Sequence, residues 1–179
     1  IPHYRAAFFE ALRDVLSEQR IELAVIYDQP GDQDALKHDA VALPWGHRIH
    51  NTIIHLAGRE LYWQPAWRFI DGADLVIVEQ ASKLLINYIL ILQSKLHVRK
   101  VAFWGHGKNF QRGNGWSIAE AVKRRVSTNV DWWFAYNEMS ARVVESLGYS
   151  RKRITIVNNA IDTHELRTSL LSQRPEELI

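Results

Sequence analysis

The feature that most constrains the fold of this chain is a regular alternation of short apolar runs with helical patterns. The apolar runs lie at 21–27, 73–78, 101–104, 132–136 and 154–157, and helix caps or helical spacing separate most of them. Near-continuous apolar runs are typical of strands that are buried on both faces. Strands that alternate with helices usually pair in parallel, with helices covering the sheet. The pattern therefore predicts an α/β fold with a mostly parallel sheet.

The helices are predicted from their ends and from their periodicity. Pro2 suits the first turn of a helix, where its missing N–H costs nothing. The 82–96 segment is apolar on nearly every side, which predicts a largely buried helix. Asn137 can cap the helix after the 132–136 strand, and Gly148 can end it in a left-handed turn. The 53–63 segment remains ambiguous between a strand and other structure.

Composition excludes several functional classes. The chain has 22 basic and 20 acidic residues, a net charge of +2, which does not indicate a nucleic-acid-binding protein. It has no cysteine, so it has neither disulfides nor thiolate metal ligands. The longest apolar stretch, 84–92, is interrupted by Asn87 and is too short to span a bilayer. His47, His50 and His55 lack the spacing of metal ligands with nearby carboxylates, so no metal site is predicted.

The candidate site lies where the predicted strands end. In open parallel sheets, ligands bind beyond the carboxyl ends of the strands. A histidine between two glycines stands out there, because glycines let a ligand approach the backbone and imidazole exchanges protons near neutral pH. The alternative is a glycine-rich turn whose histidine bonds to the backbone. The candidate residues are Glu79; Gly105, His106, Gly107, Lys108 and Asn109; Asn137 and Glu138; and Asn158 and Asn159.

The last third of the chain carries a family resemblance. Its strand, capped helix and second strand lead into the loop Asn159, Ala160, Ile161 and Asp162. This order resembles the interdomain region of GT-B glycosyltransferases of group 1, family 4, although that family usually has Gly where Ala160 stands. In the family, the loop after the strand equivalent to 101–104 often carries a His that faces the donor sugar. The position of His106 matches that pattern.

The beginning of the chain resembles the same family less closely. There the loop after the first strand leads into a helix whose N-terminus faces the cleft. This chain shows no Gly-Gly pair in that loop. Either the residues from Pro2 to Arg5 take its place, or the pair and a first strand precede Ile1. Arg5 would add positive charge at this helix terminus, which favours anions. The alternative is a surface arginine beside a packed helix.

The resemblance implies one half of a GT-B fold. Residues 1–162 would form a Rossmann-like, three-layer α/β/α domain that binds the acceptor, and 163–179 would begin the interdomain linker. The whole enzyme would be a retaining glycosyltransferase of the hexosyltransferase type in polysaccharide biosynthesis. It would use a nucleotide-sugar as co-substrate, with no cofactor and no metal, and its acceptor would be a glycan, a lipid-linked molecule or a small molecule. The resemblance implies that the donor-binding C-terminal domain lies outside these 179 residues, so the 179-residue chain by itself is expected to be inactive.

The implied location is the cytoplasm. The 82–96 helix and the basic run Lys123, Arg124 and Arg125 would also allow peripheral contact with the inner face of the membrane, although the simpler interpretation is core and solvated surface. The oligomeric state is not predicted. Two alternative functions remain open. One is a self-contained doubly wound domain that binds a ligand or partner without catalysis, and the other is a sugar-nucleotide epimerase of GT-B architecture.

Overall fold

The computed structural model describes residues 1–28, 41–107, 125–158, 163 and 167–168. The chain forms two compact units, one that includes Ile1–Arg48 and one that comprises Ile49–Asn159. The S-x-x-E pattern at Ser117–Glu120 predicts the start of one helix, and Asp162 or Thr163 can cap another. Both predictions fall almost entirely outside the described residues.

The first unit contains the helix predicted from Pro2. Helix α1, His3–Glu18, follows Pro2 directly, which confirms the prediction. Arg20, two residues past the end of the helix, has a left-handed φ of 61°. The N–H of Arg20 donates to the Ser17 carbonyl and that of Ile21 to the Leu16 carbonyl, so carbonyls of the last turn are satisfied.

The strand predicted over 21–27 is shorter and lies in a different sheet. Strand β1 is Ile26–Asp28, and it pairs with β2, His47–Ile49, in a separate two-stranded sheet. The prediction was wrong at its start because Ile21 is hydrogen-bonded into the end of α1 and its side chain is 49% exposed. Residues 29–48 carry Pro30-Gly31 and Pro44-Trp45-Gly46, a pattern that predicts a loop. This prediction is wrong for His47 and Arg48, which belong to β2, and residues 29–40 are outside the described part.

The second unit begins with a β-hairpin that resolves the ambiguity at 53–63. Strands β3, Thr52–Leu56, and β4, Arg59–Trp63, pair antiparallel. Ala57 and Gly58 form the turn, with φ of 49° and 70°, the combination that a type I′ hairpin turn requires. The 65–69 segment, which begins at Pro65, is compatible in sequence with a short helix, and helix α2, Trp67–Ile70, lies there.

A four-stranded parallel sheet forms the rest of the second unit. Its strands are β5, Leu75–Glu79; β6, Lys100–Gly105; β7, Trp132–Ala135; and β8, Ile154–Ile156. They are adjacent in that order, which confirms the predicted α/β fold and four predicted strands to within about two residues. Helix α3, Ile86–Lys95, lies between β5 and β6. Helix α4, Glu138–Ser146, and a 3-10 turn at Arg151–Arg153 lie between β7 and β8.

The core of this unit lies on the two central strands. Val101, Phe103 and Trp133 are at most 1% exposed, and the rings of Phe103 and Trp133 lie 5.4 Å apart. Burying one such side chain stabilises a fold by about 1.5–3 kcal/mol. Leu90 of α3 and Val144 of α4 are fully buried as well, so both helices contribute to the core.

Helix α3 is buried on only one stripe. It begins at Ile86 rather than at the expected position 82, and its buried residues include Ile86, Leu90 and Ile91. Leu92 and Tyr88 are 54% and 39% exposed. The expectation of a largely buried helix was therefore wrong for half of its surface. Among the described helices, none combines the length and the apolar character needed to cross a bilayer.

Asp131 connects the amino ends of the sheet. Its carboxylate accepts from the Ser94 hydroxyl at 2.8 Å and from the Val101 N–H at 2.9 Å, and Lys100 lies 3.4 Å away. Burial alone would raise the Asp131 pKa, but these donors favour the charged form and hold the pKa below its ordinary value of 3.8. The residue thereby joins α3, β6 and β7 at the end opposite the candidate site.

Candidate functional site

The neighbouring parallel strands end at nearly the same level of the sheet. Glu79 pairs with Trp104 and Gly105 pairs with Ala135 in the sheet register. The hydrogen bonding continues one residue further, since the Tyr136 N–H donates to the Gly105 carbonyl. The residues that follow β5, β6, β7 and β8 therefore emerge at one edge of the sheet, as the sequence predicts for a ligand site.

His106 is exposed at this edge, one residue past β6. Its Nδ1 lies 3.3 Å from the hydroxyl oxygen of Ser140 in α4. Its ring meets the buried ring of Tyr136 edge to face, with centroids 4.4 Å apart and planes at 87°. The histidine thus contacts two side chains of the β7–α4 segment.

Asn137 caps α4, as the sequence predicts, and also reaches Ser140. Its Oδ1 accepts from the Ser140 N–H at 2.8 Å and from the Ser140 hydroxyl at 2.9 Å. Ser140 in turn contacts His106, so the structure connects two of the predicted site residues through a third. Sequence reasoning missed Ser140, whose only signal is its place three residues after a cap, where side chain and cap commonly interact.

Gly107 brings the loop after β6 into close contact with α4. Its φ is 77°, and a Cβ built there would lie 2.6 Å from Cγ2 of Val144 and 3.4 Å from Cγ1 of Val143. Only glycine suits both the backbone angle and this approach. Gly105 has more room, since its Cβ would lie 3.6 Å from that of Gln80.

The two predicted carboxylates have different surroundings. Glu79 is exposed at the end of β5, and its backbone carbonyl accepts from the side-chain amide of Asn87 at 2.9 Å. Glu138 lies 3.5 Å from Arg142 and 3.1 Å from Arg151. Its charge is therefore shared with two guanidinium groups on α4 and the 3-10 turn, which makes it less available to a ligand than Glu79.

Among the remaining predicted residues, the structure describes only Arg5 and Asn158. Lys108, Asn109 and Asn159 lie outside the described residues. Arg5 belongs to the first unit, where its guanidinium lies 5.7 Å from the centre of the Tyr4 ring. Asn158 is exposed two residues after β8, with a left-handed φ of 47° that asparagine tolerates better than most residues.

A separate concavity lies in the first unit. It encloses about 490 Å³, and its walls include Arg13, Glu22, Trp45 and His47. The Arg13 guanidinium lies 4.7 Å from the centre of the Trp45 ring, and the Trp45 indole N–H donates to the Glu10 carboxylate at 2.9 Å. These contacts are ordinary surface packing, and the concavity contains none of the predicted site residues.

The exposed side chains at the strand ends are polar groups that can form hydrogen bonds. The exposed side chains there are an imidazole, two amides and a carboxylate, from His106, Asn137, Asn158 and Glu79. Within the described part of the chain, no group of three or more His, Cys, Asp or Glu residues is placed to hold a metal ion. No protein-family model and no curated protein matches this sequence.

Proposed function

We propose that this chain is the acceptor-binding half of a retaining GT-B glycosyltransferase of family 4. The observation that carries the proposal is His106, exposed at the carboxyl edge of a parallel sheet beside Asn137. The residue pattern around this edge resembles that family, and neutral polar groups at strand ends suit a sugar. The proposal includes the three-layer, Rossmann-like arrangement of the whole domain.

The proposed reaction moves a sugar from a nucleotide-sugar to an acceptor hydroxyl. The acceptor oxygen forms a bond to the anomeric carbon while the bond from that carbon to the diphosphate breaks. The hydroxyl proton leaves with the nucleotide diphosphate, and the anomeric configuration is retained. His106 would hydrogen-bond the sugar as charge develops, which is where fixed polar groups lower a barrier most.

The other candidates would assist at the two ends of the reaction. Glu79, Asn137, Asn159 and, less directly, Glu138 would bind sugar hydroxyls. The backbone of Gly105, His106 and Gly107 would face the leaving diphosphate, where N–H groups stabilise the product. Lys108, Asn109 and Arg5 stay candidates for binding it from the sequence alone. A second domain outside these residues would hold the nucleotide. A cytoplasmic enzyme with a lipid-linked acceptor would also use the exposed side of α3 at the inner face of the membrane.

The direct test is turnover by the complete gene product with a panel of nucleotide-sugars. His106→Ala should lower turnover by roughly 100-fold, the loss typical of removing one group that stabilises a transition state. His55→Ala is the matched control, because His55 is exposed on the β3–β4 hairpin. Near-normal turnover of His106→Ala would refute the assigned role. Interconversion of sugar isomers without transfer would favour the epimerase.

Calorimetric titration of the 179-residue chain tests whether the nucleotide-sugar binds to this half of the proposed enzyme. We expect UDP-, GDP- and ADP-sugars to bind weakly or not at all, because the nucleotide is assigned to the second domain. Micromolar binding would place the donor site in this half and would contradict the proposal. Binding of a ligand without turnover by the complete protein would instead favour the binding module.

A further inference from the structure

We infer that Asn137 and Ser140 hold neutral His106 in the tautomer that carries its hydrogen on Nδ1, so that Nε2 is the atom that accepts from a ligand. The tautomer follows from the hydrogen bonds of the β7–α4 segment alone. That this ligand is a sugar hydroxyl rests on the proposed function.

The first step is the orientation of the Asn137 amide. The Ser140 backbone N–H can only donate, and the Asn137 side-chain atom 2.8 Å from it must therefore be the carbonyl oxygen, Oδ1. The amide nitrogen of Asn137 cannot take this place without two donors facing each other. The helix cap thereby decides which way the side chain points.

The second step is the direction of the Ser140 hydroxyl. Its oxygen lies 2.9 Å from the same Oδ1, which is purely an acceptor, so the single hydroxyl hydrogen of Ser140 points to Asn137. That leaves the Ser140 oxygen with lone pairs only. Any further partner of this hydroxyl must donate to it.

The third step assigns the imidazole. Nδ1 of His106 lies 3.3 Å from the Ser140 oxygen, and a hydrogen bond between them requires a hydrogen on Nδ1. A neutral imidazole has one N–H, so Nε2 then carries the lone pair. The edge-to-face contact with Tyr136 and the packing of Gly107 on Val144 restrict the ring and the loop that carries it.

The arrangement has a chemical consequence for the ligand. A ring fixed in this tautomer can accept a hydrogen bond through Nε2 but cannot donate one there. The group that contacts neutral His106 must therefore be a donor, such as a sugar hydroxyl, and not a carbonyl or a bare phosphate oxygen. Ser140 and Asn137 act through the histidine as positioning residues.

The test is the ring nitrogen chemical shifts of the 179-residue chain labelled with ¹⁵N-histidine, at a pH where His106 is neutral. The sequence has 8 histidines, and loss of one signal pair in His106→Gln identifies the relevant one. We expect a protonated-type shift for Nδ1 and an unprotonated-type shift for Nε2. Ser140→Ala should move the tautomer ratio about fivefold toward Nε2–H, the effect of one lost hydrogen bond.

Control variants separate the tautomer from general damage to the helix. Ser146→Ala removes another hydroxyl from α4, one that donates to the Val143 carbonyl, and it should leave the ratio unchanged. Asn137→Asp keeps both the acceptor and the cap, so it should keep the tautomer. Asn137→Ala frees the Ser140 hydroxyl to donate to Nδ1, so it should shift the ratio in the direction of Ser140→Ala.

Two results would overturn the inference: a wild-type ring protonated on Nε2, or a Ser140→Ala ratio equal to that of the wild type. Neither depends on transferase activity. A confirmed tautomer together with normal turnover of His106→Ala would refute the proposed role of His106 and leave the positioning intact. If the tautomer and the proposed role of His106 are both correct, Ser140→Ala in the complete protein should lower turnover about fivefold. That loss is smaller than the one expected from removing the imidazole in His106→Ala.

Discussion

Gly107→Ala should be among the most destabilising single-methyl additions in the second unit. Alanine at a left-handed φ such as 77° costs about 1–2 kcal/mol. The new Cβ would also lie 2.6 Å from Cγ2 of Val144, a side chain that is 0% exposed and cannot move toward solvent. Overpacking of this kind costs about 1–3 kcal/mol. We therefore expect the free energy of unfolding to fall by roughly 2–5 kcal/mol.

Urea-induced unfolding followed by tryptophan fluorescence measures this loss. Gly72→Ala is the matched control, because Gly72 has a φ of 74° but nothing within 4 Å of the position of its Cβ. Gly72→Ala should lower the free energy of unfolding only by the cost of placing alanine at a left-handed φ. The difference between the two variants isolates the clash with Val144.

A rescue variant tests the same contact in the opposite direction. Val144→Ala removes the methyl group that the new Cβ would meet, at the cost of a small cavity. The double variant with Gly107→Ala should therefore be more stable than the sum of the two single losses predicts, by about 1 kcal/mol or more. Equal losses for Gly107→Ala and Gly72→Ala, or strict additivity in the cycle, would refute the reasoning.

Two further predictions concern ionisable groups of the second unit. Asp131→Asn should lower the free energy of unfolding by about 1–2 kcal/mol near neutral pH, because Ser94 and its neighbours lose a charged acceptor. Because the pKa of Asp131 is lowered in the folded state, the wild type is the more stable protein above the unfolded-state pKa near 4. This difference in the free energy of unfolding should disappear as the pH falls through the folded-state pKa of Asp131. A difference that stays constant in urea titrations at acid pH would contradict the prediction. Burial raises the pKa of Tyr149 from 10.0 to about 12, which favours the neutral phenol that donates to the Val130 carbonyl at 3.0 Å. The stability that this raised pKa contributes is complete below pH 10 and is lost as the pH rises toward 12. Tyr149→Phe should therefore lower the free energy of unfolding by about 1 kcal/mol at pH 7 and make it depend less on pH in the alkaline range. An unchanged alkaline pH dependence would count against the assignment.

Sequence reasoning succeeded where the signal is local. The runs at 73–78 and 132–136 became strands of the parallel sheet. The expectation that such runs are buried on both faces was wrong for β5, because Leu75 and Ile77 are 44% and 47% exposed. Asn137 was recognisable as a cap because its hydrogen bond spans only three residues. The same reasoning failed at 21–27, where apolar residues are not by themselves evidence of burial.

The position of the candidate edge also follows from sequence order. Parallel strands joined by helices place all their carboxyl ends on one side, so His106 and Asn137 had to emerge at the same edge. The pattern could not show what these residues contact there. Glu138, for example, has guanidinium partners on its own helix and on the 3-10 turn that follows it.

By itself, the sequence determined the four strands of the parallel sheet, their direction and the edge at which their carboxyl ends lie. Only the tertiary structure decided that Ser140 stands between Asn137 and His106, and that Gly107 must lack a side chain because of Val144. The physical reason is distance along the chain. Periodicity and capping act within a few residues, whereas the contact of His106 with Ser140 spans 34 residues and depends on the register of β6 against β7 and the packing of α4.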